Sequence, residues 1–340
     1  MTDILETVSW LVDIPSVTGS EAALGDAIAG RLGGLPQQRI ADSLVVGASG
    51  EGGVLLAGHL DTVPLQGPAA ARVDDDRVHG LGATDMKGGL AVMIHLIEAL
   101  GPDRLACVFY AGEEGPLSGN QLAWVLEEAP WLRTASAGVV LEPTDRAVEA
   151  GCQGAINADV VFTGEPAHSA RPWLGENAIT KAGEFLTHMR DLEPDLHVVG
   201  GLEFREVLSV TTARGGVARN VVPAQFVMNV NYRFAPDRPS EKAVERLLEV
   251  CAAADRVEVT DLAPAGSVDI DHPLFRALIE RSGATVQGKQ GWTDVAQLSS
   301  AGIPAVNFGP GEPSLAHKPG ESVRISDLGW VYDSLFDVLR

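Results

Sequence analysis

Three short apolar runs in the first half of the chain each end in residues able to bind a ligand, and this pattern limits the fold more than any other feature. Residues 53–58 lead into His59, residues 104–111 into Gly112-Glu113-Glu114, and residues 137–141 into Glu142-Pro143-Thr144. Apolar runs of this length bounded by glycine read as strands buried on both faces. The spacing of apolar residues predicts helices near 3–13 and 20–32, over 84–100 beside Asp85, and over 121–128. Strands alternating with helices imply a largely parallel sheet covered by helices.

The pattern changes at Gly151. Residues 154–163, 206–213, 225–234 and 257–262 read as strands with alternating or β-branched residues, and two amphipathic helices are expected over 177–192 and 240–253. The resulting β-α-β-β-α-β order is that of a ferredoxin-like unit of about 110 residues. A helix over 274–282, a strand over 305–308 and a helix over 325–339 then return to the first unit. The expected architecture is α/β. Residues 1–150 and 265–340 form a catalytic domain with a mixed, mostly parallel sheet flanked by helices, and 151–264 form an inserted ferredoxin-like α+β domain. A length of 340 residues suits two domains.

Composition narrows the partners. The chain has 25 Lys plus Arg against 46 Asp plus Glu, a net charge of -21, so it repels phosphate backbones and anionic membranes. No nucleic-acid or membrane partner is expected. Cys107, Cys152 and Cys251 are far apart and show no metal-knot spacing, which fits a reducing compartment. The acidic N-terminus is unlike a signal peptide, and the apolar run 88–100 is shorter than the ~20 residues needed to cross a bilayer. A cytoplasmic protein is expected.

The chemistry gathers at the strand ends. His59 and Asp61 are two residues apart and can face one side, with His59 on a metal and Asp61 orienting it. Taken singly, each fragment has an ordinary explanation: Asp85 as a helix cap, Glu113 and Glu114 as loop carboxylates, Glu142 as part of a turn. Their shared position decides between the readings, because open parallel sheets bind ligands along the carboxyl ends of their strands. Carboxylates and imidazole without thiolate suit a catalytic Zn²⁺ site, with Mn²⁺ or Co²⁺ as substitutes. There is no G-x-S-x-G elbow, and no cysteine stands in a catalytic motif.

In order along the chain stand Gly58-His59-Leu60-Asp61-Thr62-Val63-Pro64, Gly80-Leu81-Gly82-Ala83-Thr84-Asp85-Met86-Lys87-Gly88, Glu113-Glu114, Glu142-Pro143-Thr144 and His317. This series resembles the signature of the co-catalytic zinc amidohydrolases, a family of aminoacylases, deacetylases, carboxypeptidases and desuccinylases. Gly151-Cys152-Gln153-Gly154, Ala167-His168-Ser169-Ala170-Arg171, Asn231-Tyr232-Arg233-Phe234-Ala235-Pro236 and Gly291-Trp292-Thr293-Asp294-Val295 are most similar to its desuccinylase branch. The resemblance implies a metal-dependent hydrolase of a small N-acyl amino acid, with an N-succinyl diamino acid as substrate. Related deacylases and exopeptidases of the family are the alternative.

The resemblance also implies roles. Asp85 bridges two Zn²⁺ ions, one held by His59 and Glu142 and the other by Glu114 and His317. Three ligand carboxylates against two dications leave one positive charge, whereas a single Zn²⁺ would leave the site negative. Glu113 is the general base and Asp61 supports the catalytic group. His168 is presented across a homodimer to the oxyanion of the other subunit. Arg233, Asn220, Arg171, Trp292 and Thr293 are the candidate substrate contacts. Many members of the desuccinylase branch carry paired arginines where Cys152 and Gln153 stand. Either Arg171 or Arg233 supplies the missing cation here, or the acyl group differs.

Overall fold

The computed structural model describes residues 2–48, 52–64 and 70–340. The chain divides into two compact units, one of Met1–Gly151, Gly266–Gly288 and Thr293–Arg340, the other of Cys152–Ala265 and Lys289–Trp292.

The first unit is built on an eight-stranded sheet. Its strands run, in spatial order, Gln37–Ile40, Ser43–Val46, Leu105–Tyr110, Val54–His59, Ala137–Pro143, Ala305–Gly309, Ala147–Ala150 and Thr285–Gly288. The four central strands are mutually parallel, with His59 opposite Tyr110 and Ala57 opposite Val140. Parallel pairing puts their carboxyl ends on one edge, and that edge carries His59, Glu113, Glu114 and Glu142. Strand Ala137–Pro143 is longer than its apolar run, so Glu142 lies inside it rather than beyond it.

Helix Gly88–Leu100 is buried along most of its length and packs against helices Thr2–Val12 and Ile325–Leu339. Its near-continuous apolar sequence follows from contact on several sides. Gly89 lets it approach the sheet: a Cβ there would lie 2.4 Å from the Leu141 carbonyl oxygen. The helix begins at Gly88 rather than at Thr84 as the apolar spacing suggested, because Asp85 and Met86 hold non-helical backbone angles.

Several elements had no apolar signature. The antiparallel hairpin Gln37–Ile40/Ser43–Val46 starts with a polar strand and turns through Ala41 at φ 49°. A three-stranded sheet joins Arg72–Val73, Arg77–His79 and Ser322–Arg324 across more than 240 residues. Strands Ala147–Ala150 and Thr285–Gly288 pair parallel at the far edge of the large sheet. Such strands are specified by their neighbours more than by local pattern.

The second unit has five antiparallel strands in the order Asp195–Val199, Leu202–Gly215, Gln225–Phe234, Gly154–Thr163 and Arg256–Ala263. Leaving out the added edge hairpin strand Asp195–Val199, this is the ferredoxin-like order. Helices Gly183–Asp191 and Ser240–Val250 supply Phe185, Met189, Ala243, Leu247 and Val250 to a core with Ile156, Phe162, Met228, Tyr232 and Phe234. The helix expected over 177–192 is broken in two at Ala182, before Gly183, a residue that weakens helix interiors. Its start is capped by Asn177, whose Oδ1 accepts from the N–H groups of Ile179 and Thr180.

Gly309 pairs with Pro143, and a Cβ there would sit 2.1 Å from the Leu141 oxygen and 2.5 Å from the Glu142 oxygen. Both neighbours are backbone and cannot rotate away. Gly309→Ala is therefore expected to destabilise the protein by about 1–3 kcal/mol. The check is the urea midpoint, and an unshifted midpoint would contradict this packing.

Candidate metal centre

His59 closes strand Val54–His59 with a side chain only 1% exposed. Its Nδ1 lies 2.9 Å from the Asp61 carbonyl oxygen, which can only accept, so Nδ1 donates. Nε2 faces the site, 3.1 Å from Asp85 Oδ1 and 3.7 Å from Glu142 Oε1. On the other side, His317 Nε2 lies 3.3 Å from Asp85 Oδ2 and 2.8 Å from Glu114 Oε1. Asp85 thus shares its two oxygens between two imidazoles, each with a second carboxylate. The structure brings His59, Asp85, Glu114, Glu142 and His317 into one cluster, although they span 258 positions of sequence (317 − 59).

Two further acids hold this geometry by binding backbone. Asp85 has φ −125° and ψ 93° within residues 83–87, and the N–H groups of Thr84 and Asp85 both donate to Glu321 Oε1 at 3.0 Å. Glu321 is 4% exposed, and burial pushes its carboxyl up to about 6 against the opposing pull of those N–H groups. Asp61 works similarly. The sequence reading had Asp61 orienting His59, and in the structure the contact to Nδ1 is made by the Asp61 backbone carbonyl, with the carboxylate Oδ1 farther off at 3.7 Å. Its Oδ1 and Oδ2 instead accept from the N–H groups of Glu113 and Glu114 at 3.0 and 2.9 Å, and Thr18 Oγ1 donates to Oδ2 at 3.1 Å. Asp61 therefore shapes the loop that carries the two glutamates. His317 sits at φ 60°, a left-handed conformation uncommon for a side chain other than glycine.

The electrostatics show what the cluster demands. Burial opposes charging of His59, but the hydrogen bond to Asp85 and the charges of Glu142 and Glu113 prevail and hold its pKa well above the ordinary value. Hydrogen bonds to Asp85 and Glu114 push His317 up to about 10. Burial would raise Asp85, yet both histidines hold it below the usual carboxylate range. Glu113 is driven well above its ordinary value, by burial first and then by the charges of Glu142, Asp294 and Asp85. Four carboxylates outweigh two imidazoles, and all donor atoms are oxygen or imidazole nitrogen. Such a set fits divalent cations, with Asp85 placed to touch two of them.

Asp294 is a buried acid to which sequence reasoning assigned no role. It accepts from Tyr110 Oη at 2.6 Å, from Asn120 Nδ2 at 3.0 Å and from Gln297 Nε2. Its position beside the buried Thr293, in the segment 291–295, was the only available signal. Its negative charge reaches Glu113.

Of the remaining candidates, Thr293 is buried in the first unit and the others lie in the second. The His168 loop pairs with Val221, and Ser169 N–H donates to the Asn220 oxygen, so His168 and Asn220 stand together. His168 is exposed, and its Nδ1 accepts from Ala170 N–H at 3.1 Å. Arg171 is exposed. Arg233 is half-buried and donates to Asn231 Oδ1 at 3.0 Å; among the described residues it forms no salt bridge. Trp292 donates its indole N–H to the Pro264 oxygen. Cys152 is buried, and Gln153 donates to the Arg205 oxygen at 2.6 Å. Asp195, His197 and Glu206 also converge, but Glu206 is already matched by Arg238 at 2.7 Å, Tyr232 Oη and Ala235 N–H. That second cluster is an internal ion-pair network.

Residues 55–340 match the peptidase family M20/M25/M40, and the chain belongs to it. Members of this family are metal-dependent hydrolases, often dinuclear. A Mycobacterium tuberculosis relative named for succinyl-diaminopimelate desuccinylase (DapE) is 39% identical, over 98% of this chain and 97% of its own length. The succinyl-diaminopimelate desuccinylase of Corynebacterium glutamicum is 36% identical, over 94% of this chain and 91% of its own. Among solved structures, a tripeptidase from Staphylococcus aureus superposes with a TM-score of 0.80 at 21% identity, covering 99% of this chain and 97% of that one. No helix among the described residues is long and apolar enough to cross a membrane.

The supporting acids carry a prediction. Asp61→Asn and Glu321→Gln keep the shape of the side chain but remove the charge that gathers backbone N–H groups, so each should weaken metal affinity about 10–100-fold. Metal titration followed by calorimetry checks this, and wild-type affinity in both variants would refute the positioning role.

Proposed function

We propose that this protein hydrolyses N-succinyl-LL-2,6-diaminopimelate to succinate and LL-2,6-diaminopimelate. The chemistry rests on one observation: Asp85 divides its two oxygens between two donor sets, and the half-buried Glu113 stands among them. The substrate is supported by the two relatives named above, which align over nearly the whole chain.

His59, Asp85 and Glu142 would hold one divalent cation and His317, Glu114 and Asp85 a second, which we take to be Zn²⁺. Bound cations of this kind supply a water of lowered pKa and a polarised amide carbonyl. Glu113 does the proton work. Its surroundings favour the protonated form, which makes the carboxylate a ready acceptor for the proton of the attacking water. The water oxygen bonds to the carbonyl carbon, the C–N bond breaks, and Glu113 returns the proton to the departing nitrogen. No covalent bond to the protein is formed.

His168 suits the developing oxyanion. With Nδ1 accepting from Ala170, its proton resides on Nε2, which is left as a donor. We assign this donor to the active site of a partner subunit in a homodimer, with Asn220 beside it. Arg233, half-buried and in no salt bridge among the described residues although within the field of Asp261, is the candidate for a substrate carboxylate. Arg171, Trp292 and Thr293 complete the proposed contacts.

A substrate panel on metal-quantified protein tests the assignment. Turnover of N-succinyl-LL-2,6-diaminopimelate should exceed that of acetylornithine by about two orders of magnitude. The reverse preference would make the protein a deacetylase of the same family. His59→Ala and Asp85→Ala should lose metal together with activity. Glu113→Gln should retain metal and lose turnover by about 10²–10⁴-fold, and wild-type turnover in that variant would remove its assigned role. An interface variant that is monomeric by light scattering should be nearly inactive, like His168→Ala, and a fully active monomer would refute action across subunits.

A further inference from the structure

Beside the metal cluster the first unit contains a cavity of about 260 Å³ that shares His317 with it. Val63, Leu81 and Pro319 give it apolar walls. Arg72 and His79 also line it, but both are already turned to the carboxylate of Asp74, at 3.3 and 2.7 Å. Glu321 at the cavity is engaged by the backbone of Thr84 and Asp85. The remaining charged side chain is Lys318, next in sequence to His317, exposed, and without a salt bridge among the described residues. A cation with no counter-ion at the mouth of an apolar cavity suits a short methylene chain that ends in a carboxylate. A liquid water molecule takes about 30 Å³, so the volume admits the few heavy atoms of a four-carbon acyl group.

We propose that this cavity is the acyl subsite and that Lys318 selects acyl groups with a terminal carboxylate. The inference rests on the desuccinylase reading and deepens it. It supplies a cation for a succinyl carboxylate that Cys152 and Gln153 do not supply. Cys152 is buried and Gln153 is engaged with Arg205, so neither presents a cation. An acetyl group placed in the same cavity leaves Lys318 without a partner.

The test compares N-succinyl- and N-acetyl-LL-2,6-diaminopimelate, which share an amine and differ only in the acyl carboxylate. On metal-quantified enzyme the ratio of their kcat/KM values should fall about tenfold in Lys318→Ala, as expected for losing a charge-assisted hydrogen bond near solvent. It should fall further in Lys318→Glu and recover largely in Lys318→Arg. Succinate should lose a similar factor in affinity by calorimetry. A ratio within about twofold of wild type in both Lys318→Ala and Lys318→Glu would overturn the proposal. If the wild-type enzyme hydrolyses neither compound, the desuccinylase reading fails instead. Succinate binding that survives Lys318→Glu would then overturn the subsite on its own.

Discussion

The catalytic unit depends on a concentration of negative charge that its own side chains cannot neutralise. Asp85 lies at the centre, one oxygen toward His59 and the other toward His317, with Glu142, Glu114 and Glu113 around it. Removing this many carboxylates from water costs several kcal/mol per ion unless opposite charge accompanies them. The raised pKa of both histidines expresses that demand in protons, and divalent cations meet it more fully. A cluster built in this way has little purpose without metal.

Holding such a cluster together requires rigid supports, and the fold provides two kinds. Parallel strands place His59, Glu142 and the Glu113-Glu114 loop on one edge, each within a residue or a few of a hydrogen-bonded ladder. Where the ladder ends, buried acids take over. Asp61 gathers the N–H groups of Glu113 and Glu114, and Glu321 gathers those of Thr84 and Asp85. Carboxylates thus appear at the site twice, as candidate metal donors and as clamps on the backbone that presents them.

The second unit follows different rules. Its five antiparallel strands and three helices enclose a core of their own. It presents His168 and Asn220 on neighbouring segments pinned by backbone hydrogen bonds. The hydrogen bond from Ala170 fixes which imidazole nitrogen carries the proton.

Much of this was legible along the chain. Strands 54–59 and 105–110 and helix 325–339 announced themselves because full burial or one buried face leaves a period in the sequence. Of the candidate metal donors, His59, Glu114 and Glu142 were legible because each follows or ends such a strand, whereas Asp85 and His317 stood out as ligands only through the family resemblance. The strand Gln37–Ile40 and the edge strand Asp195–Val199 left no such trace because both are short edge strands with mostly exposed residues, and the small sheet joining Arg77–His79 to Ser322–Arg324 left none because its pairing partner is remote in sequence. For the same reason the sequence could name Asp61 but not say that its carboxylate holds the glutamate loop. It gave no role to Glu321 or Asp294, and nothing in it set Lys318 beside a cavity. Residue type and local periodicity determine which groups are available and which elements carry them. Which backbone N–H each acid holds, and which cation is left without a partner, is decided only when remote segments pack and exclude water between them.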